Sequence, residues 1–173
     1  NAARTWLDAW QADFPDSAQP HYFRGLIWRH FVLNDRAAEE LSRGLQLDPT
    51  RNDIRFELAK TYEAKHEFGK AVPLYRQLRE QCGDDPQVLM GLANCLVHLG
   101  QEDQGKLLYE TVVRRWPQEV RAHVGLAKLE LAEDAEAVVE RLQPLAEKHP
   151  YDKELRYVLA AALRAVGRKD EAE

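Results

Sequence analysis

The sequence predicts an all-α protein, an α-solenoid made of helix–turn–helix units. Residues that stop helices recur at one interval: Pro15, Pro49, Gly83 and Pro117 lie 34 residues apart, and Pro150 follows 33 residues later. Between successive stops the chain carries two amphipathic stretches of helical period, separated by a short polar break. One helix pair cannot bury its own apolar face. Repeats of this length therefore stack on their neighbours.

Composition excludes several classes of protein. The 173 residues are 45% hydrophobic and 31% charged, which is typical of a folded globular chain. A net charge of −5 without a basic stripe argues against nucleic acid as a partner. The longest apolar run, Tyr157 to Leu163, is too short to span a membrane. Cys82 and Cys95 form no CxxC motif, and we expect both to be buried in a protein of the cytoplasm. The chain does not begin with Met, so we expect its natural start to lie upstream.

The stops divide the chain into one array of units. Ser17, Asp85 and Asp152 are predicted N-caps, and Pro86 suits the first position of a helix. The fourth full unit is one residue short near Glu133–Asp134, and Pro144 should kink a helix within it. The units are a lone second helix at 1–17, full pairs at 18–51, 52–85, 86–119 and 120–152, and a first helix with the start of a second at 153–173.

Small and large residues alternate at fixed places in the units. Small side chains let two helices approach closely, and large apolar ones fill the space beside them. The first helix of each unit carries Gly25, Ala59, Ala93, Ala127 or Ala160. The second helix carries Ala3, Ala37, Ala71, Gly105 or Ala172, and a large residue follows at Leu7, Leu41, Tyr75, Tyr109 or Leu142.

This pattern resembles the tetratricopeptide repeat, and "LAKTY" (58–62), "KAVPLY" (70–75) and "GLQLDP" (44–49) carry it most clearly. The resemblance implies a right-handed superhelix in which the first helix of each pair, helix A, lines a concave groove. It also implies a scaffold for protein–protein interaction. The chain departs from the pattern at Arg24, which replaces an apolar residue. Polar His21, Arg55, His123 and Arg156 likewise stand where a bulky apolar residue often opens helix A.

The resemblance predicts a partner-binding surface on the helices A. We expect Lys60, Asn94, Arg121 and Lys128 to hold a carboxylate or acidic side chains, and Tyr22, Phe56 and Met90 to take apolar anchors. A mainly apolar partner, or no groove ligand, stays open. The complete predicted surface is Tyr22, Leu26, Arg29, Phe56, Lys60, Met90, Asn94, Arg121, Val124, Lys128, Tyr157 and Arg164.

The sequence contains no catalytic, nucleotide-binding or cofactor-binding motif that we recognise, and its six histidines lack the spacing of metal ligands. We therefore expect no enzyme activity, no cofactor and no metal. Two other functions remain open: a structural spacer or self-associating element, and an accessory domain of a larger enzyme. Neither end carries a dedicated polar capping helix, so end-to-end self-association is also expected.

Overall fold

Ten α-helices and a terminal 3-10 helix, Lys169–Glu171, lie in the computed structural model, which describes residues 2–171. The described residues contain no strand, so the predicted all-α helical-repeat fold is confirmed. Ala172 and the side chain of Ala3, two of the predicted small positions, lie outside the described residues. The helices are α1 (Ala2–Asp13), α2 (Ala18–His30), α3 (Asn34–Leu47), α4 (Asn52–Ala64), α5 (Phe68–Cys82), α6 (Pro86–His98), α7 (Glu102–Arg115), α8 (Val120–Glu130), α9 (Ala135–Lys148) and α10 (Lys153–Ala165).

The helix starts follow the predicted capping chemistry. The Ser17 hydroxyl accepts a hydrogen bond from the backbone N–H of Gln19, and the carboxylates of Asp85 and Asp152 each accept two from the first turns of α6 and α10. Asp134, which was not among the predicted caps, caps α9 in the same way. The even-numbered helices from α2 to α10 begin at residues 18, 52, 86, 120 and 153, the first residues of the predicted units.

The chain divides into two compact units, residues 1–99 and 100–173, called unit 1 and unit 2 below. In unit 1, α1 to α6 pack each on the next, and the helices A (α2, α4 and α6) also touch in order. In unit 2, α7 to α10 pack in sequence, α8 also touches α10, and the 3-10 helix lies against α10. Each unit therefore presents its own row of helices A.

In three of the second helices, called helices B, the large residue packs against a glycine. A Cβ on Gly25 would lie 2.5 Å from Cγ of Leu41 in the same repeat. Cβ atoms on Gly91 and Gly125 would lie 2.4 Å and 2.6 Å from Cζ of Tyr75 and Tyr109 in the repeat before. Real Cβ atoms do not approach so closely, so these glycines leave the space that the helix-B side chains fill.

Two of the polar residues that depart from the pattern close the loop between repeats. Arg55 is 2% exposed, and its guanidinium donates to the carbonyl of Pro49 and to Oε1 of Gln81. His123 holds the equivalent place in unit 2, where Nε2 donates to the Pro117 carbonyl over 3.0 Å. In both repeats a side chain satisfies the carbonyl of the proline six residues earlier, which would otherwise lack a partner.

Arg24 and His21 tie neighbouring helices together at the start of unit 1. Arg24 donates to the Leu7 carbonyl over 3.0 Å and to Oδ1 of Asp8 over 2.8 Å, joining α1 to α2. Nδ1 of His21 lies 2.8 Å from Oε2 of Glu40, joining α2 to α3. Arg156, which holds the position of His21 in α10, is exposed.

The short repeat differs at its A–B turn. Helix α8 has 11 residues where α2, α4, α6 and α10 have 13, and four residues follow it where the other turns before a helix B have three. The turns after α2, α4 and α6 pass through a positive φ at Val32, His66 and Gly100, whereas Leu131 after α8 is helical with φ −54°. Pro144 lies inside α9, as Pro73 does inside α5.

Candidate interaction surface

The helix-A face of unit 1 carries cations that its own carboxylates neutralise. Arg29 on α2 forms an ion pair with Glu57 on α4, and Nζ of Lys60 lies 3.7 Å from Oε1 of the same Glu57. Arg29 is partly buried, and this burial lowers the pKa of its guanidinium from its ordinary value. The Lys60 ammonium also lies 5.1 Å from the centroid of the Phe56 ring. These predicted basic groups therefore hold an internal carboxylate.

Asn94 is also engaged within unit 1. Its Nδ2 donates to Oε1 of Glu63 over 2.6 Å, and the Tyr75 hydroxyl donates to Oε2 of the same carboxylate over 2.8 Å. Burial and the Glu63 charge both raise the pKa of Tyr75, which keeps its proton on the hydroxyl. Glu63 thus occupies the amide that was predicted to bind a partner's carboxylate.

The predicted apolar anchors of unit 1 differ in exposure. Tyr22, Leu26 and Phe56 are half-buried, and Arg51 covers the Tyr22 ring at 5.5 Å from its centroid. Met90 is only 8% exposed, so it belongs to the core more than to the surface. The remaining apolar area on this face lies around Tyr22, Leu26 and Phe56.

The helix-A face of unit 2 keeps an excess of positive charge. Arg121 and Arg164 are exposed, and neither forms an ion pair with another residue in the described part of the chain. Nζ of Lys128 on α8 lies 2.5 Å from Oε1 of Glu154 on α10, which places the two helices side by side. Of the three predicted cations on this face, only Lys128 is therefore neutralised by a carboxylate in the described residues.

One aromatic side chain stands out among these cations. Tyr157 on α10 is 72% exposed. Val124, the other predicted apolar residue of unit 2, is 3% exposed and belongs to the core cluster that contains Leu142 and Leu155. Tyr157 is thus the available apolar anchor among the predicted residues of unit 2.

Other chemistry is limited in the described residues. No group of three or more His, Cys, Asp or Glu side chains among them is placed to hold a metal ion. Cys95 is buried, and burial with the Glu63 charge raises the pKa of its thiol to about 12, so it is inert at neutral pH. Cys82 was expected to be buried but is exposed, because it lies at the last residue of α5. No described helix has both the length and the apolar character needed to cross a membrane.

The sequence model of the family named Tetratricopeptide repeat matches residues 52–95, which comprise α4, α5 and most of α6. Helix pairs also lie before this segment, as α2 and α3, and after it, as α8 and α9. The chain has the tetratricopeptide-repeat fold. The tetratricopeptide repeat (TPR) fold supports protein–protein interaction in general.

Solved TPR structures resemble the chain over most of its length. YrrB, a TPR protein with an unusual peptide-binding site, matches with a TM-score of 0.72 and 12% identity over 96% of this chain and 86% of its own. MamA from Desulfovibrio magneticus RS-1 matches with a TM-score of 0.78 and 18% identity over 88% of this chain and 86% of its own. TTC0263, a thermophilic TPR protein from Thermus thermophilus, matches with a TM-score of 0.71 and 20% identity over 90% of this chain and 86% of its own. No curated protein matches this sequence. The TM-scores show that the chain shares the fold of these proteins, and at these low identities the likeness extends to the fold alone.

Proposed function

We propose that the chain is a non-catalytic interaction module that binds an extended acidic peptide segment on the helix-A face of unit 2. The observation that carries the proposal is the exposure of Arg121 and Arg164 without an ion pair in the described residues. Two exposed guanidinium groups on neighbouring helices suit carboxylates, which they bind through paired charge-assisted hydrogen bonds.

Tyr157 supplies the apolar part of the proposed site. An exposed tyrosine provides a large rigid contact area at low cost in conformational entropy, and such residues dominate many binding energies. Lys128 lies on α8 with Arg121 but is already paired with Glu154 on α10. An acidic partner would compete with Glu154 for this ammonium. We therefore assign Lys128 a smaller share of the affinity than Arg121 or Arg164.

The likeness to YrrB supports a peptide as the partner class, since that protein has a peptide-binding site on the same fold. The helix-A face of unit 1 is the second candidate site, for a mainly apolar segment, because Tyr22, Leu26 and Phe56 remain half-exposed there. Whether the bound peptides are acidic or mainly apolar decides between the unit 2 site and the unit 1 site.

Selection from a random peptide display library tests the proposal. We expect peptides that combine Asp or Glu with an aromatic or aliphatic residue, and we expect Arg121→Gln/Arg164→Gln to abolish their enrichment. The matched control is Arg76→Gln/Lys148→Gln, which makes the same change in net charge on exposed helix-B residues. Neutral apolar peptides that bind the Arg121→Gln/Arg164→Gln variant unchanged would contradict the acidic site.

A further inference from the structure

Three consecutive apolar side chains are exposed at the A–B turn between α2 and α3. Phe31 is 63% exposed, Val32 75% and Leu33 44%. Apolar side chains scattered singly over a surface are ordinary, whereas an exposed run of this kind marks a place where a protein or a membrane binds. Val32 also has φ 59°, a left-handed conformation that is costly for a β-branched residue. Exposure and backbone strain thus coincide at this turn.

The exposure belongs to this position in the repeat. Leu99 is the equivalent of Phe31, and it is 44% exposed although two complete repeats precede it. His66 is the equivalent of Val32, and it too is exposed, with φ 58°. Side chains at these turns therefore stay at the surface when further repeats precede them. The turn at 31–33 differs from the other two because all three of its residues are large and apolar.

The next A–B turn places cations beside this one. Nζ of Lys65 lies 2.8 Å from Oδ1 of Asp35 at the start of α3, which joins the two turns. Lys65 and the exposed Lys70 each lie 2.6 Å from a carboxylate oxygen of Glu67. Exposed Arg36 adds a third cation on α3. Three cations against two carboxylates make this edge of unit 1 net positive, on a chain whose net charge is −5.

Two aromatic rings lie under these cations. The Arg36 guanidinium lies 5.0 Å from the centroid of the half-buried Trp28 ring. The ammonium groups of Lys65 and Lys70 lie 5.9 Å and 5.4 Å from the centroid of the Tyr62 ring. Trp and Tyr beside long cationic side chains are typical of a membrane–water interface, where the rings contact the acyl boundary and the cations reach the phosphates.

We infer that the turns at 31–33 and 65–67 form a peripheral docking surface for a membrane that contains anionic lipids. Phe31 and Leu33 enter the boundary between head groups and acyl chains, and Lys70 contacts the lipid phosphates. Val32 lies between the two inserting side chains.

The observations favour a bilayer over other occupants. The apolar side chains project from a turn, and a bilayer accepts a projecting side chain without a preformed pocket. A second copy of the chain would bring two positively charged edges together, which repel each other. The surface lies on unit 1, whereas the proposed peptide site lies on unit 2, so the inference does not depend on the proposed function.

Co-sedimentation with lipid vesicles tests the inference. The wild type is expected to bind vesicles of phosphatidylcholine and phosphatidylserine, and to bind vesicles of phosphatidylcholine alone more weakly. Phe31→Ser/Leu33→Ser is expected to lower the partition into the mixed vesicles about tenfold or more, because it removes the inserting side chains. The matched control is Leu47→Ser/Leu107→Ser, which removes apolar residues that are 40% and 63% exposed on other parts of helices B. The control is expected to bind as the wild type does.

Further variants separate charge from insertion. Lys65→Gln/Lys70→Gln is expected to bind the two kinds of vesicle alike, because these cations select anionic head groups. Phe31→Trp is expected to shift the emission of the added indole to shorter wavelength when the mixed vesicles are present, and Leu107→Trp on α7 is expected not to. Circular dichroism of each variant establishes that the helices are retained.

Three results would overturn the inference. One is a wild-type chain that binds neither kind of vesicle; if sedimentation velocity then shows self-association that Phe31→Ser/Leu33→Ser abolishes, the turn contacts a second copy instead. Another is equal binding of the mixed vesicles by the wild type and Phe31→Ser/Leu33→Ser. The third is binding that is lost in Arg121→Gln/Arg164→Gln and kept in Phe31→Ser/Leu33→Ser, which would place the membrane contact on unit 2.

Discussion

The helix-A faces of the two units carry similar cations but differ in what surrounds them. In unit 1, Arg29 and Lys60 share Glu57, and Asn94 is bound to Glu63. In unit 2, Arg121 and Arg164 have no ion pair within the described residues. A ladder of basic residues in the sequence is therefore not sufficient evidence for an acidic partner, since carboxylates on adjacent turns can neutralise it.

Core packing explains part of this difference. Glu57, Gly91, Gly125 and Val158 occupy equivalent positions in successive helices A. Where the preceding helix B carries a tyrosine, the position is glycine, because the ring lies where a Cβ would be. Tyr109 therefore excludes a carboxylate from position 125, whereas Leu41 precedes a repeat that has Glu57. The choice of a core residue in one repeat thus affects the surface charge of the next.

Gly125→Glu should have the largest effect on stability. The new Cβ would lie within 2.6 Å of the Tyr109 ring, so we expect the free energy of unfolding to fall by about 3 kcal/mol or more. Gly69→Ala is the control, because nothing lies within 4 Å of a Cβ there, and it should leave stability unchanged or raise it. Urea unfolding of both variants measures the difference. Equal stabilities would contradict the packing explanation.

Tyr109→Leu/Gly125→Glu transfers the unit 1 combination of Leu41 and Glu57 into unit 2. We expect the double variant to be more stable than Gly125→Glu alone, because the ring no longer fills the space. The new carboxylate lies three residues before Lys128, as Glu57 does before Lys60, and should weaken acidic-peptide binding about tenfold, or about 1.4 kcal/mol. Calorimetric titration measures this affinity. Unchanged affinity in a folded double variant would show that charge on this face does not govern binding.

Val32→Gly tests whether backbone strain differs between the A–B turns of the repeats. Val32 has φ 59°, a left-handed conformation that is costly for a β-branched residue, whereas the equivalent Gly100 has φ 75° without such a cost. We expect the substitution to raise the free energy of unfolding by about 1 kcal/mol. Gly100→Val is the reciprocal control and should lower it. A loss of stability in Val32→Gly would mean that the apolar contacts of Val32 outweigh the strain.

Protonation of His123 should lower the stability of the chain at acid pH. Burial lowers the pKa of His123 from its ordinary value, and the charge of Arg141 acts in the same direction. The unfolded chain, in which histidine has a pKa of about 6.5, therefore takes up this proton first as the pH falls. The contribution to stability is complete above that pH and is lost as the pH falls towards the lower folded-state pKa.

His123→Gln removes this titration while keeping a donor for the Pro117 carbonyl. Urea unfolding of both proteins at about pH 7.5 and pH 5.5, on either side of the ordinary histidine pKa, compares the losses. We expect the wild type to lose more stability on acidification than the variant. Equal losses would show that His123 does not contribute to the acid sensitivity.

The sequence was sufficient to predict the helices but not to predict which surface cations are neutralised. The 34-residue stops and the caps at Ser17, Asp85 and Asp152 depend on neighbours along the chain, and these local signals predicted the helix starts. Whether Lys60 or Arg121 is neutralised depends on side chains from other turns and helices, which a periodic pattern does not specify. The burial of Met90 and Val124 and the bond between Arg55 and the Pro49 carbonyl likewise needed the packed structure.

The most direct test of the contrast between the two faces is fluorescence anisotropy with a labelled hexaglutamate peptide that has a free C-terminus. We compare Arg121→Gln/Arg164→Gln in unit 2 with Arg29→Gln/Lys60→Gln in unit 1. We expect the unit 2 variant to raise Kd about tenfold or more and the unit 1 variant to change it less than about twofold. A larger loss from the unit 1 variant, or equal losses from both, would contradict the claim that only unit 2 offers its cations to a partner.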